Sequence, residues 1–339
     1  MTVSTIPLSL LDLAIIGPGQ TARDAFAASV SVAQRAEELG YRRVWYAEHH
    51  NMASIASSAT AVLIAHVASQ TRSIRVGAGG IMLPNHAPLV IAEQFGTLEA
   101  LHPGRIDLGL GRAPGTDPTT TRALRRDPSS ADTFPEDVLE LQGYLEDKTR
   151  IPGVNATPGR GAHVPLYILG SSLFGAKLAA TLGLPYAFAS HFAPHSLVDA
   201  VALYRREFRP SAQLAAPHVI TGLTVIAAET KRRAEEQLLA VQRARVTLLL
   251  GKGRTFTDEE ADYLLDSPAG LQLKQMMTYA AIGTADDVSA YVAEFAAHAD
   301  ADELIVVHPA QTLEARLRSM SLLAEGVRPK AAGAVTAEA

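Results

Sequence analysis

The chain has 339 residues, of which 47% are hydrophobic and 19% are charged, and its formal net charge is −5. With 30 basic against 35 acidic residues, it has no basic field to attract nucleic acid or anionic lipid, so small-molecule chemistry is the better expectation. The sequence contains no cysteine, which excludes disulfides, thiolate nucleophiles, cysteine zinc sites and iron–sulfur clusters.

The N-terminal apolar stretch, residues 8–17, has no basic residue before it and is interrupted by Asp12. Both features argue against a cleaved signal peptide. No apolar run reaches the roughly 18 residues that a membrane span needs. The sequence therefore predicts a cytoplasmic protein that does not interact with a membrane.

Short apolar runs alternate with longer amphipathic segments along the chain, which is typical of βα units. Strands are predicted at 8–16, 43–49, 74–83, 105–110, 165–170, 186–190, 219–227 and 303–307. Helices are predicted at 24–39, 58–69, 89–101, 135–146, 174–182, 197–206, 230–250, 286–297 and 313–324. Eight strands with following helices indicate a (β/α)8 TIM barrel, whose bare size is roughly 250 residues. A doubly wound sheet is the rival, and only the strand count argues against it.

Two segments interrupt this alternation. Residues 150–165 are rich in glycine and proline, and residues 251–282 contain helical pieces without a clear strand. We interpret both as excursions from a single barrel domain spanning 1–325, and the second is long enough to act as a lid. Residues 326–339 are predicted to form a flexible tail.

In a TIM barrel the reactive groups lie where strands end. Predicted strand two ends in Ala47-Glu48-His49-His50. Adjacent strand residues point to opposite faces, so His49 and His50 cannot easily share a metal, and no metal site is predicted. His49 at the barrel opening is an acid–base candidate, and Glu48 would then face the helices, satisfied by a helix terminus or an arginine. The alternative is a pair of polar residues bonded to loop backbone.

Predicted strand three contains Gly79-Gly80. Glycines inside a strand mark a bulge or a close approach to the backbone, so a flat group is expected against this pair. Tight helix-to-strand packing is the alternative.

Strand four continues into Gly109-Leu110-Gly111-Arg112, whose spacing does not fit the dinucleotide fingerprint. Arg112, with Arg122 behind it, is a candidate for clamping a phosphate. An ordinary solvated arginine is as good an interpretation for Arg125 and Arg126.

Strand five ends in Gly170-Ser171-Ser172, directly before a helix, where hydroxyls and free amides would bind phosphate; a simple serine N-cap is the commoner outcome. Strand six ends near His191, for which substrate contact and plain packing are equally good interpretations.

Together these residues resemble the bacterial luciferase-like flavin-dependent monooxygenases, and within them the luciferase α-chain-like group. The resemblance rests on Ala47-Glu48-His49-His50, Gly79-Gly80, Leu83-Pro84, residues 105–112, Gly170-Ser171-Ser172, residues 301–304 and residues 314–317. It covers nearly the whole chain, and it implies a (β/α)8 barrel that binds FMN at its C-terminal opening.

The resemblance also implies roles for individual residues. His49 matches the active-site histidine, and Gly79-Gly80 matches a small-residue pair joined by a cis peptide beneath the flavin ring. Arg112 and Arg122 match positions near the FMN phosphate and ring edge, and Ser171 matches the phosphate-binding serine.

The implied activity is a monooxygenase that uses reduced FMN and O2 on a small organic substrate, with His191 as a tentative substrate contact. The sequence has no NAD(P)H fingerprint, so a separate NAD(P)H:flavin reductase would supply reduced flavin, and the resemblance implies a homodimer. Gly111 stands where luciferase α-chains carry cysteine, so no light emission is expected. Two alternatives remain: hydride transfer with the deazaflavin F420, and a non-catalytic flavin-binding protein.

Overall fold

The computed structural model describes residues 6–251 and 253–327. The strands in this part of the chain are β1 Leu8–Asp12, β2 Arg43–Tyr46, β3 Arg75–Met82, β4 Ile106–Gly111, β5 Leu166–Gly170, β6 Tyr186–Phe188, β7 Val219–Ala227, β8 Ala280–Gly283 and β9 Glu303–Val307. The α-helices are α1 Ala22–Leu39, α2 Thr60–Ser69, α3 Pro88–Leu101, α4 Pro118–Ala123, α5 Phe134–Leu145, α6 Leu173–Leu182, α7 Leu197–Glu207, α8 Lys231–Leu250, α9 Asp258–Leu265, α10 Pro268–Met276, α11 Ala285–His298 and α12 Leu313–Val327.

The strands close into a parallel barrel. β1 to β6 pair in chain order, β6 pairs with β7, and β9 joins β7 to β1. The predicted TIM barrel is therefore confirmed, and the doubly wound alternative is wrong, because an open sheet has no pairing that joins its edges.

β8 corrects the prediction that residues 251–282 contain no strand. Thr224 of β7 pairs with Val307 of β9 and also with Ala280 of β8, so β8 extends one edge of β7 outside the eight-stranded barrel. Helices α8, α9 and α10 form an insertion between β7 and β8. They share a small apolar cluster that includes Val246 and Leu265.

Element ends differ from the predictions at several points. β1 ends at Asp12 and not at residue 16, and β2 ends at Tyr46 and not at residue 49, since its last ladder pair joins Tyr46 to Ala78. No helix or strand occurs within the described loop 150–165. Helix α12 continues to Val327, and residues 328–339 of the predicted tail lie outside the described residues.

Local sequence explains the helix ends. Thr21 precedes α1 and forms a capping box with Asp24, which satisfies amides of the first turn. At the other end Gly40 adopts a left-handed conformation with φ of 79°, which an L-residue with a side chain rarely adopts. None of the described helices is both long and apolar enough to cross a membrane.

The barrel interior is layered. Inward-facing Trp45, Tyr167, Ile220 and Ile305 belong to one buried cluster across its middle. Below them, Arg43 bonds Asp107 and Glu303 in a buried ionic group. We call the end of the barrel where the strands terminate the mouth. Because the ionic group fills the opposite end, a functional site is expected at the mouth.

Candidate functional site

Glu48 joins the loops after β2 and β3 at the mouth. Its buried carboxylate accepts hydrogen bonds from His50 Nε2 at 2.8 Å, His86 Nε2 at 2.9 Å, Asn85 Nδ2 at 3.3 Å and the Met82 amide at 3.1 Å. A 3₁₀ turn after β3, Leu83–Asn85, has proline in its first positions. It directs the side chains of Asn85 and His86 back toward the carboxylate. The loops after β2 and β3 are thereby fixed to each other.

The loop after β4 joins the same cluster. Asn85 Nδ2 also donates to the Pro114 carbonyl at 2.9 Å, and the His50 amide donates to the Gly115 carbonyl at 3.4 Å. Thr116 Oγ1 donates to the His50 carbonyl at 3.0 Å. The three loops therefore form one rigid rim around His49.

The partners predicted for Glu48, a helix terminus or an arginine, are wrong. Burial alone would raise the pKa of Glu48, but hydrogen bonds from His50 and His86 outweigh it and lower the pKa to about 2. Atoms of Glu48, His50 and His86 that could bind a metal lie within 4.8 Å of one another. From the sequence, only His49 and His50 are considered as a pair of metal ligands, so this cluster is not predicted. Since both imidazoles lie at hydrogen-bond distance from the carboxylate, the cluster is already satisfied without a cation.

His49 lies beside this cluster, half-buried, with Nδ1 3.4 Å from the Gly115 carbonyl oxygen. Burial lowers the pKa of His49, and the Gly115 carbonyl and the Glu48 charge only partly oppose that effect. The imidazole is therefore neutral near pH 7 and able to accept a proton.

The stabilising contribution of His50 should be lost as the pH rises. The hydrogen bond to Glu48 raises the pKa of His50 above its ordinary value of 6.5, so the contribution is fully present below that value and disappears as the pH passes the raised pKa. The free energy of unfolding of the wild type minus that of His50→Gln, measured in urea titrations, should therefore decrease as the pH is raised above 6.5. The same comparison with His66→Gln, an exposed position on α2, is the control, and a His50 difference that grows with pH would contradict the prediction.

Gly79 and Gly80 are joined by a cis peptide bond, as the resemblance implies. A Cβ added to Gly79 would lie 2.8 Å from Trp45 Cβ, and one added to Gly80 would lie 2.7 Å from the Gly109 carbonyl oxygen. Close packing inside the barrel therefore requires glycine at both positions, whatever lies above them. The Gly80 carbonyl also accepts the Glu48 amide at 3.2 Å, which ties this pair to the rim.

The N-terminus of α6 has free hydrogen-bond donors. Ser172 is its N-cap residue in an extended conformation, but its side chain makes no capping hydrogen bond, so the simple N-cap interpretation is wrong. Ser171 and Ser172 are exposed, and Gly170 before them is half-buried. Uncapped amides and hydroxyls at a helix N-terminus favour an anion.

Arg112 lies at the same helix end. Its guanidinium stacks over the Phe174 ring, in the first turn of α6, with 4.2 Å between the guanidinium carbon and the ring centroid. This stacking places Arg112 at the helix end that follows Ser171. Arg122 is exposed on α4, and within the described residues no hydrogen bond or ion pair joins it to the other predicted site residues.

His191 follows β6, and its ring packs against the backbone of β7. A Cβ added to Gly222 would lie 2.2 Å from His191 Nδ1, so the ring rests on the strand backbone. Burial, and then the positive charge of Arg245 on α8, lowers the pKa of His191 to about 3. The ring also makes an edge contact with Phe192, at 4.9 Å between centroids.

Sequence reasoning missed two contributors to the mouth. His86 follows β3 in Leu83-Pro84-Asn85-His86, and a histidine in a proline-containing loop after a barrel strand was a usable signal. Arg245 lies within a long helix among other charged residues, and no sequence signal separates it from them.

Residues 7–302 match the family described as luciferase-like monooxygenase. A luciferase-like monooxygenase of Escherichia coli (strain K12) is 46% identical over 325 residues, covering 95% of this chain and 97% of the relative. N-acetyl-S-alkylcysteine monooxygenase of Bacillus subtilis (strain 168) is 33% identical over 332 residues, covering 95% and 98%. The structure of apo-MsnO8 is similar with a TM-score of 0.86 at 34% identity, covering 96% of this chain and 100% of that one.

Two more distant structures share the fold alone. The oxygenating constituent of 3,6-diketocamphane monooxygenase from Pseudomonas putida, in complex with FMN, has a TM-score of 0.69 at 17% identity, covering 96% of this chain and 98% of that one. An F420-dependent secondary alcohol dehydrogenase, in complex with an F420-acetone adduct, has a TM-score of 0.70 at 16% identity, covering 96% and 100%. The family match and the two relatives named above show that the chain belongs to the luciferase-like monooxygenase family.

Proposed function

We propose that this chain is an FMN-dependent monooxygenase that uses reduced FMN and O2 to oxygenate a small organic substrate. The observation that carries the proposal is the N-terminus of α6, where uncapped amides and the hydroxyls of Ser171 and Ser172 lie beside Arg112. FMN carries a phosphate, and this donor set fits a phosphate. The family supplies the class of reaction.

Different residues would bind the phosphate and the ring system of the flavin. Arg112, Ser171 and Ser172 would bind its phosphate, with Gly170 and Arg122 nearby in sequence, and the backbone of Gly79-Gly80 would lie against its ring system. When bound, reduced FMN supplies the electron pair that activates O2.

The chain's own residues control protons and water. The rim fixed by Glu48 presents His49 as a neutral imidazole, which would accept a proton from the substrate or from water. The inward side chains of Ala47, Leu169 and Val307 belong to the apolar cluster inside the barrel. An apolar floor of this kind excludes water from the reaction.

Arg112→Gln should weaken FMN binding about ten-fold or more, because a charge-assisted hydrogen bond to phosphate is lost. The variant should bind riboflavin, which lacks the phosphate, as the wild type does. Fluorescence titration of the apoprotein with each ligand measures both affinities. Arg125→Gln removes an exposed arginine nearby and should change neither. Equal losses for FMN and riboflavin would show that Arg112 does not bind the phosphate.

Two other functions are separated by direct tests. The first is F420-dependent hydride transfer. The apoprotein is titrated with F420 and with FMN, and tighter binding of F420 would favour this function. The second is flavin binding without catalysis. Oxygen uptake is measured with supplied reduced FMN, and absence of substrate-dependent uptake would favour this function. The substrate panel should begin with thioethers, because one relative is named for N-acetyl-S-alkylcysteine.

The proposal includes a cytoplasmic location, a homodimer and a separate NAD(P)H:flavin reductase. These elements rest on the sequence and on the family resemblance. Exposed apolar side chains on two neighbouring helices, Val62 on α2 and Val90 and Leu101 on α3, are compatible with a subunit interface, and sedimentation analysis would report it.

A further inference from the structure

Helix α8 packs onto the mouth side of β7. Val241 of α8 shares a buried cluster with Ile226 of β7 and with Met277. Side chains alternate along a strand, so Ile226 points to the same face as Ile220, which lies inside the barrel. The insertion therefore places one face of α8 against the inward face of β7, at the end of the strand.

Arg245 lies on this face of α8, four residues after Val241. It is half-buried, and within the described residues it makes no hydrogen bond or ion pair. Burial lowers its pKa, and no carboxylate of the described chain opposes that effect. Arg243, two residues earlier, differs in pairing with Asp262 at 2.6 Å and also with Asp258.

Other buried polar atoms, on α8, on β7 and in the loop after β6, are also unpartnered among the described residues. His191 Nδ1, Thr224 Oγ1 and Gln237 Oε1 are buried side-chain atoms without a hydrogen-bond partner among the described residues. Thr224 lies between Gly222, on which the His191 ring rests, and Ile226, on which α8 packs. Gln237 is four residues before Val241, on the same helix face as Arg245. A buried polar atom without a partner costs free energy, so such a group calls for a ligand or water.

We propose that Arg245, Thr224 and His191 form a binding site for the anionic group, a carboxylate or sulfonate, of an acidic organic substrate. An unpaired, half-buried guanidinium is the strongest donor set for such a group. The site lies at β6 and β7, whereas Arg112 and Ser171 lie at β4 and β5, so one group can hold the flavin phosphate while the other holds the substrate. The inference rests on the proposed monooxygenase function and names its substrate class.

The test compares matched acid and amide probes by calorimetry. Hexanoate and hexanamide, and 4-methylbenzoate and its amide, are titrated into the chain with and without FMN. We expect each acid to bind at least about ten-fold more tightly than its amide, and Arg245→Gln to remove that preference. Arg245→Lys, which keeps the charge, should retain part of it. Arg232→Gln removes an exposed charge from the same helix and should leave the preference unchanged.

Further readouts separate the possible failures. Modification of Arg245 by phenylglyoxal is followed by peptide mass spectrometry. Protection by the acid and not by the amide would support the site without any turnover. Equal binding of acid and amide, no binding of any acid, or a preference that survives Arg245→Gln would overturn it. A loss of FMN affinity in Arg245→Gln equal to its loss of acid affinity would assign the arginine to the flavin. Because no arm needs oxygenation, failure of the monooxygenase proposal is detected separately by oxygen uptake.

Discussion

Glutamine in place of His49 should reduce substrate oxygenation about 100- to 10,000-fold, the usual contribution of a positioned acid–base group. The structure gives the reason: the rim built on Glu48 fixes the loop that carries His49, and burial keeps its imidazole neutral near pH 7. FMN affinity should change little, because the phosphate donors lie on other loops. Single-turnover oxygenation with supplied reduced FMN measures the rate.

The pH profile gives a second test of His49. Since burial lowers the pKa of His49 below its ordinary value of 6.5, a base role predicts that the rate falls as the pH drops through that lowered pKa. His49→Gln should lose this acidic limb. His50→Gln, whose side chain acts through Glu48, should keep the limb and lose less activity. An unchanged rate in His49→Gln would rule out its catalytic role.

The sequence was sufficient where local patterns decide the structure. Strand β7, Val219–Ala227, was predictable because a largely apolar, β-branched run begins after Pro217-His218 and ends shortly before Glu229. The barrel followed from eight such strands, and the barrel in turn placed His49, Arg112 and Ser171 at one end. These inferences need only chain order and the alternation of side chains.

The sequence was insufficient where contacts with residues distant along the chain determine the structure. Strand β8 consists of Ala280–Gly283, a run with little strand preference of its own, and exists because it pairs with the end of β7. Glu48 owes its lowered pKa to hydrogen bonds from His50 and from His86, and His86 follows a different strand. Arg245 reaches the mouth only because α8 packs on Ile226. The rim and the insertion therefore depend on contacts between segments that are distant along the chain.

Methionine in place of Arg43 should lower the free energy of unfolding by about 3–5 kcal/mol, because it removes the one fully buried cation that Asp107 and Glu303 share and leaves them only the more exposed Arg75 and Arg42. Arg43 is 1% exposed, and its Nη1 donates to Asp107 at 2.8 Å and to the Tyr167 hydroxyl at 2.6 Å, while Nη2 donates to Glu303 at 3.2 Å. Asp107 and Glu303 are fully buried, so neither can recover its hydration. Urea unfolding followed by circular dichroism measures the change.

Arg42→Met is the matched control, because Arg42 is adjacent in sequence and 3.4 Å from the same Glu303, but its side chain is 49% exposed. That variant should lose less than about 1 kcal/mol. The Arg43 group lies at the opposite end of the barrel from His49 and Arg112, separated from them by the Trp45 layer. Folded Arg43→Met should therefore bind FMN as the wild type does, which separates the stability of this barrel from its chemistry. A loss in Arg43→Met no larger than in Arg42→Met would show that the buried ionic group does not stabilise the fold.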